Sequence, residues 1–230
     1  MNISIIIPIY HEEKSIEKVL QTIRRNVKNT HEILLVYDSS SDPTVPVAKQ
    51  YQQRHIKEPI RLVKNKFIKG AMNAIKTGFE EGKGDAFVVI MADLADNVGQ
   101  IDHMYALIVS GADIVCASRF MKGGQKIGGP LIKTLLTRTA NFLLYHFAHL
   151  PVHDGTNAYK MYKRTVFTDI SIESTGGFEY SLEVVLKAFK KGYTLKEIPT
   201  VWKDRAAGSS NFQLRKWLPK YIRWFLLAFR

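Results

Sequence analysis

Apolar positions along the first half of the chain alternate between two periods. Ile3 to Pro8 is a nearly continuous β-branched run stopped by proline, the pattern of a strand buried on both faces. Glu12 to Arg25 places Ile16, Val19, Leu20 and Ile23 on one stripe, which predicts a helix. Glu32 to Tyr37 reads as a second strand. Asp42-Pro43 reads as an N-cap followed by proline at the first position of a helix running to about Arg54. A short strand over Ile60 to Val63 and a helix over Lys69 to Gly82, closed by glycine, come next. Ala86 to Met91 is a fourth strand, Val98 to Ser110 a helix and Asp113 to Ser118 a fifth strand. This alternation predicts an α/β fold with a mostly parallel central sheet and helices on both faces.

The second half is less regular. Gly123-Gly124 and Gly128-Gly129-Pro130 bracket an expected flexible loop. Leu131 to Leu150 reads as a helix, Ala158 to Tyr162 as a strand, Phe178 to Lys190 as a helix and Thr194 to Trp202 as a strand. From Leu214, apolar Trp217, Leu218, Tyr221, Ile222, Trp224 and Phe225 lie mainly opposite Arg215, Lys216, Lys220 and Arg223. That is the pattern of an interfacial helix with aromatic and basic anchors, although a helix docked on its own domain gives the same pattern. No repeat or low-complexity linker divides the chain. One domain is expected over 1–212, followed by an amphipathic membrane-proximal helix over 213–230.

Ligands of parallel sheets gather at the carboxyl ends of the strands. Here those ends carry Pro8-Ile9-Tyr10, Asp38-Ser39-Ser40, Asp93-Leu94-Ala95-Asp96 and Ser118-Arg119. Asp93 is placed either to hold a divalent cation on a diphosphate or to cap a helix. Asp38 can accept hydrogen bonds from a base or ribose, or make a turn; Asp42 is read as a structural cap. Arg119, Lys133 and Arg205 are basic groups near loops or helix starts, where a phosphate site and a solvated surface are both open readings. Glu183, inside an apolar helix, needs a partner if buried. His153 beside Asp154 reads as a solvated loop pair.

Composition narrows the partners. The 230 residues are 46% hydrophobic and 23% charged, an ordinary globular balance. The lone Cys116 excludes an intramolecular disulfide and a cysteine-cluster metal site, and the seven histidines show no metal spacing. Ile3 to Ile9 is too short for a signal peptide, and no apolar run approaches the roughly 20 residues of a spanning helix. The net charge of +12, from 33 basic and 21 acidic residues, calls for an anionic partner. Nucleic acid is not the expected one, since no nucleic-acid-binding motif is present. A dinucleotide-binding oxidoreductase and a nucleotidyltransferase are disfavoured because Pro8-Ile9-Tyr10-His11-Glu12 is not a glycine-rich phosphate loop.

Taken in order, these segments resemble glycosyltransferase family 2, and within it the dolichol-phosphate mannosyltransferase-like (polyprenyl-phosphate glycosyltransferase) group. The resemblance runs from Ile5 to about Asn211. It is carried by Ile7-Pro8-Ile9-Tyr10-His11-Glu12-Glu13, Val36-Tyr37-Asp38-Ser39-Ser40-Ser41-Asp42, Met91-Ala92-Asp93-Leu94-Ala95-Asp96, Ala117-Ser118-Arg119-Phe120 with Gly123-Gly124, Asp154-Gly155-Thr156, Glu183, and Arg205-Ala206-Ala207-Gly208-Ser209-Ser210. It implies a GT-A nucleotide-sugar-binding fold over 1–212. Pro8, Tyr10, Glu12 and Asp38 are then expected around the nucleotide, Asp93 at the diphosphate and its Mg²⁺ or Mn²⁺, and Arg205 on the donor phosphates. Arg119, Lys133 and Thr137 match positions expected to hold an acceptor phosphate. The chain departs from the family pattern at Tyr37, Met91, Ala95 and Asn211, where carboxylates, a metal ligand and a lysine are common; Asp96 is the substitute metal ligand.

The resemblance implies inverting transfer of a sugar from a nucleotide-sugar (GDP-mannose or a UDP-hexose) to a polyprenyl or dolichyl phosphate. The acceptor oxygen is already anionic, so no protein base is needed and the catalytic work falls to Asp93, Arg119 and Arg205. An anionic membrane surface is the expected partner. The expected location is the cytoplasmic face of a membrane, held peripherally or by a region beyond residue 230. Two other readings stay open: a family 2 enzyme with a soluble or protein acceptor, and a catalytically degenerate nucleotide-sugar-binding module.

Overall fold

The computed structural model describes residues 2–204 and 214–229, with the side chains of 214–217 excepted. Strand β1 (Ile3–Ile9) is buried along its whole length. It pairs in parallel with β2 (His31–Tyr37) on one side and β4 (Ala86–Val89) on the other, and β3 (Ile60–Lys64) extends the sheet beyond β2. Past β4 come β7 (Lys160–Lys163), β5 (Ile114–Ser118) and β8 (Leu195–Pro199), giving a seven-stranded sheet in the order β3-β2-β1-β4-β7-β5-β8. Strand β7 is antiparallel to both neighbours and the other pairs are parallel. Short strands β6 (Gln125–Ile127) and β9 (Val201–Lys203) form a second, parallel pair.

Helices cover both faces because β1 is apolar in both directions. Alternate residues of a strand point to opposite faces. Ile3, Ile5 and Ile7 pack with Ile16, Val19, Leu20 and Ile23 of α1 (Ile16–Asn26), with α2 (Thr44–Arg54) and with α4 (Ile101–Val109). Ile6 joins Leu34 and Val36 against Met72, Ile75 and Phe79 of α3 (Ala71–Glu81) and against α7 (Tyr180–Lys190). Each such aliphatic side chain removed from water contributes about 1.5–3 kcal/mol. The expected α/β architecture is thus the observed one.

Several boundaries differ from expectation for local reasons. Helix α1 starts at Ile16 rather than Glu12, because Glu12–Ser15 forms a turn in which the Ser15 hydroxyl donates to the Glu12 carboxylate at 2.7 Å. The segment expected as a flexible loop contains β6. The strand expected over Thr194 to Trp202 is two strands, β8 and β9. At Thr200 the chain changes partners: its amide donates to Ser118 of β5's end at 2.9 Å, and its carbonyl accepts from Gln125 of β6 at 2.9 Å. The short helix α6 (Val166–Asp169) had no sequence signal.

Helix α5 (Leu131–Phe147) buries only Asn141 and Leu144. Leu131, Ile132, Leu135, Leu136, Phe142 and Phe147 remain exposed. Helix α8 (Leu214–Leu227) inserts Trp224 into the second core, with Tyr221 and Phe225 packed beside it, while Leu218, Ile222, Leu226 and Phe229 face outward. No helix among the described residues is long and apolar enough to cross a membrane.

The topology has one consequence for the site. Parallel β1, β2, β4 and β5 end at one edge of the sheet. Because β7 runs the other way, the loop that precedes it, Asp154–Asn157, opens at that same edge.

Candidate active site

A cleft of ≈ 590 Å³ lies at the carboxyl ends of β1 and β2. Pro8, Tyr10, Glu12 and Asp38 all line it, together with Lys69 and Met91. Asp38 is fixed from both sides: Asn65 Nδ2 donates to Oδ1 at 2.7 Å, and the Gly70 amide donates to Oδ2 at 2.9 Å. Gly70 has φ +135°, a backbone setting that glycine adopts without the clash a side chain would meet. Tyr10 is 63% exposed and its ring meets that of His11 at right angles, with centroids 4.4 Å apart. Asp42 proves structural, accepting from the Thr44 amide at 2.8 Å and the His11 amide at 3.1 Å. Burial opposes ionisation of Asp42, but these bonds hold its carboxyl below the usual range. They also hold His11 at φ +55° beside the cleft.

The loop after β4 carries the second non-glycine residue with left-handed backbone at the site, Leu94 at φ +62°. That conformation costs about 1–2 kcal/mol and survives only where neighbours enforce it. Here the enforcement is two backbone-to-carboxylate bonds: Ala95 N–H to Asp93 Oδ1 at 3.0 Å and Met91 N–H to Asp96 Oδ2 at 3.0 Å. Burial, and then the neighbouring Asp93 carboxylate, push the Asp96 carboxyl up to about 7. The Tyr180 hydroxyl, within electrostatic reach of Asp96, is buried without a hydrogen-bond partner among the described residues.

Among the described residues, no three His, Cys, Asp or Glu side chains form a group able to hold a metal. The donor set Asp93 plus Asp96 instead suits a cation that takes one or two carboxylates and completes its shell with substrate phosphates and water.

Arg119, at the end of β5, meets the loop before β7. Its Nε donates to Asp154 Oδ2 at 2.7 Å, its Nη2 to Asp154 Oδ1 at 3.0 Å, and its amide to Oδ2 at 3.1 Å. Asp154 is fully buried, and Arg119 holds its carboxyl below the usual range against the opposing effect of burial. Asn141 of α5 ties the loop down, accepting from Gly155 N–H at 2.8 Å and donating to Thr156 Oγ1 at 3.0 Å. Lys133, Thr137 and Asn141 follow at four-residue spacing and so share one stripe of α5, and Asn141 bonds the same Thr156 hydroxyl that accepts from Arg119. The Thr137 hydroxyl donates to the Lys133 carbonyl at 2.7 Å.

The structure gathers Pro8, Tyr10, Glu12 and Asp38 at one cleft; Arg119 and Lys133 each lie within electrostatic reach of Lys126, and Thr137 lies one turn after Lys133 in α5. Asp96 lies within electrostatic reach of Arg119 and accepts from the amide of Met91, which lines the cleft. Arg205 and Asn211 lie outside the described residues. Glu183 is not at the site: it is buried, accepts from the amides of Glu173 and Ser174 and pairs with Lys187 at 2.7 Å. His153 does not pair with Asp154 but with Glu197, at 2.5 Å. Sequence reasoning missed Lys126 of β6, whose ammonium donates to Thr134 Oγ1 at 2.6 Å, and Asn141. Nothing local marks either one, because their roles depend on which elements meet in space.

Comparison with known proteins places the chain in a family. The sequence profile of Glycosyl transferase family 2 matches residues 4–171. The chain is 28% identical over 228 residues to the dolichol-phosphate mannosyltransferase of Pyrococcus furiosus, covering 97% of this chain and 62% of that protein. It thus spans less than two thirds of that relative's length. It is 25% identical over 230 residues to the polyprenol monophosphomannose synthase of Mycolicibacterium smegmatis, covering 96% of this chain and 85% of that protein. The fold superposes on glucosyl-3-phosphoglycerate synthase of Mycobacterium tuberculosis, solved with Mn²⁺, UDP and glucosyl-3-phosphoglycerate. The TM-score is 0.73 at 17% identity, over 99% of this chain and 79% of that one. A further structure of that enzyme holds Mg²⁺ and UDP, so divalent cations occur with nucleotides on this fold. With the profile match extending over β1 to the Asp154 loop and beyond, the chain belongs to glycosyltransferase family 2 and is a glycosyltransferase of GT-A fold.

Proposed function

We propose that this glycosyltransferase moves a hexose from a nucleotide-sugar, GDP-mannose or a UDP-hexose, to a polyprenyl or dolichyl phosphate at a membrane surface. The observation that carries the reading is that Met91, whose amide donates to Asp96, lines the Asp38 cleft, while Asp96 itself lies within electrostatic reach of Arg119. A nucleotide in the cleft and an anion at Arg119 would then meet at this loop. The two curated relatives bear names of lipid-phosphate mannosyl transfer, which supports the same pairing.

In this reading Pro8, Tyr10, Glu12 and Asp38 hold the nucleoside, with the Tyr10 ring offering a stacking face. Asp93, with Asp96, would hold a Mg²⁺ or Mn²⁺, and Arg205 adds charge to the donor phosphates. The cation, when bound, supplies positive charge against the departing diphosphate. Arg119, Lys133 and Thr137 align the acceptor phosphate. Its anionic oxygen attacks the anomeric carbon, and the bond to the nucleoside diphosphate breaks with its electron pair leaving on the diphosphate. Configuration at that carbon inverts. No proton leaves the acceptor, so the chain needs orientation and charge rather than a base.

The membrane part of the reading is supported by the outward apolar residues of α5 and α8. Leu131 is 85% exposed and Leu135 68%, and basic Arg138 and Arg223 accompany this surface. Such a face gains by entering the headgroup boundary of an anionic bilayer.

The test is calorimetric binding of GDP-mannose, UDP-glucose and the matching nucleoside diphosphates, each with and without Mg²⁺ or Mn²⁺. Cation-strengthened binding of one nucleotide class, weakened in Asp93→Asn, is expected. Absence of binding for every donor overturns the assignment.

A further inference from the structure

Arg119 cannot by itself give the acceptor side a net positive charge. Its guanidinium is matched by the buried Asp154 carboxylate through a two-pronged contact. A phosphate monoester carries up to two negative charges near neutral pH, so the cations that balance it come from elsewhere.

Lys126 is positioned to be one of them. Strand β6 begins directly over the end of β5. A Cβ on Gly124 would stand 2.4 Å from the Ser118 carbonyl oxygen and 2.9 Å from the Arg119 carbonyl carbon, so only glycine permits this approach. Two residues on, the Lys126 side chain reaches the first turn of α5, where Thr134 Oγ1 accepts from its Nζ at 2.6 Å. Thr134 follows Lys133 directly in the chain. The Lys126 ammonium also sits over the Trp202 ring of β9, 5.6 Å from its centroid. Strand, helix and ring thus hold one half-buried ammonium. Thr134 takes one of its three donors.

The charge environment agrees. Partial burial lowers the Lys126 pKa, and the nearby Arg119 and Lys133 cations lower it further. Asp204 and Asp154 act in the opposite sense. Such crowding of cations is relieved when an anion binds among them.

We propose that Lys126 is a further contact for the acceptor's phosphate, acting with Lys133 beside the Arg119–Asp154 pair. This rests on the acceptor reading above. The shared chemistry is a phosphate monoester, carried by a lipid alcohol or by a small soluble one.

The experiment compares wild type with Lys126→Met, Lys126→Arg and the remote surface variant Lys49→Met. It measures KM for donor and acceptor, with polyprenyl phosphate in vesicles and with 3-phosphoglycerate, alongside calorimetric binding of farnesyl phosphate. Lys126→Met is expected to raise acceptor KM and weaken farnesyl phosphate binding roughly 10- to 100-fold, the loss of one charge-assisted hydrogen bond. Donor KM stays unchanged, Lys126→Arg recovers part of the loss, and Lys49→Met behaves as wild type. Equal acceptor KM and binding in Lys126→Met overturn the role of Lys126 alone. A parallel rise in donor and acceptor KM also overturns it, as a structural effect. If 3-phosphoglycerate replaces the lipid as acceptor, the lipid reading fails while a Lys126-dependent KM keeps this inference. Wild type that uses neither acceptor and binds no farnesyl phosphate ends both.

Discussion

Arg119 and Asp154 form a buried two-pronged ion pair, with contacts of 2.7 and 3.0 Å, that joins the end of β5 to the loop entering β7. The antiparallel course of β7 is what brings that loop to the edge where its neighbours end. Breaking a buried pair by removing one charge typically costs about 3–5 kcal/mol. Asp154→Asn is therefore expected to lower stability by an amount of that order, read from urea unfolding at pH 7. The folded-state pKa of Asp154 is depressed, so its contribution is present above the ordinary aspartate pKa and is lost as pH falls through the depressed value. The gap between wild type and Asp154→Asn should close in acid. A gap that is constant with pH would contradict the pairing.

Asp96 predicts the opposite slope. Its carboxyl is pushed up from 3.8 to about 7 by burial and by Asp93. Between these values the folded state holds a proton that the unfolded state has released, so stability falls as pH rises across that window. Urea unfolding in chelator should show wild type losing stability relative to Asp96→Asn from about pH 4 to about pH 7, and no further change above it. Parallel curves would mean that Asp96 is ordinarily ionised.

The packing of α3 on β1 gives a prediction for the fold. A Cβ on Gly78 would lie 2.3 Å from Ile6 Cγ2. Gly78→Ala should cost about 1–3 kcal/mol by overpacking. Ile6→Ala, which removes Cγ2, should cost less in the Gly78→Ala background than in wild type, in a double-mutant cycle of urea midpoints. Strictly additive losses would show that the two positions do not touch.

How much of this was legible in the sequence follows from which signals are local. The first five strands and four long helices could be read because β1 to β5 carry continuous apolar runs and the helices carry apolar stripes such as Ile16, Val19, Leu20 and Ile23. The cleft lined by Pro8, Tyr10, Glu12 and Asp38 lies where the strand ends pointed, since strand ends mark where ligands sit. Strands β6 and β9 are three residues each, and they exist because Thr200 hands the chain from one sheet to the other. No periodicity encodes such an exchange. The same holds for His153, whose sequence neighbour Asp154 is claimed by Arg119 while Glu197, 44 residues away, takes the imidazole. Lys126 and Asn141 were illegible for the same reason.

The exposed face of α5 predicts membrane association. Ile132→Glu with Leu135→Glu places two carboxylates where apolar side chains are 69% and 68% exposed. Folding should be unaffected, because neither side chain is in the core. Co-sedimentation with anionic phospholipid vesicles should weaken tenfold or more, on the order of one buried aliphatic side chain lost from the bilayer. Undiminished sedimentation would remove α5 from the docking surface.

The most direct test of the account is transfer of labelled sugar by the wild-type chain to polyprenyl phosphate in anionic vesicles, with GDP-mannose and UDP-glucose as alternative donors and Mg²⁺ present. The account predicts label passing into an organic-extractable sugar phospholipid from one of the two donors, with inverted configuration at the sugar carbon. Label that stays wholly in water-soluble products, with both donors bound, would contradict it.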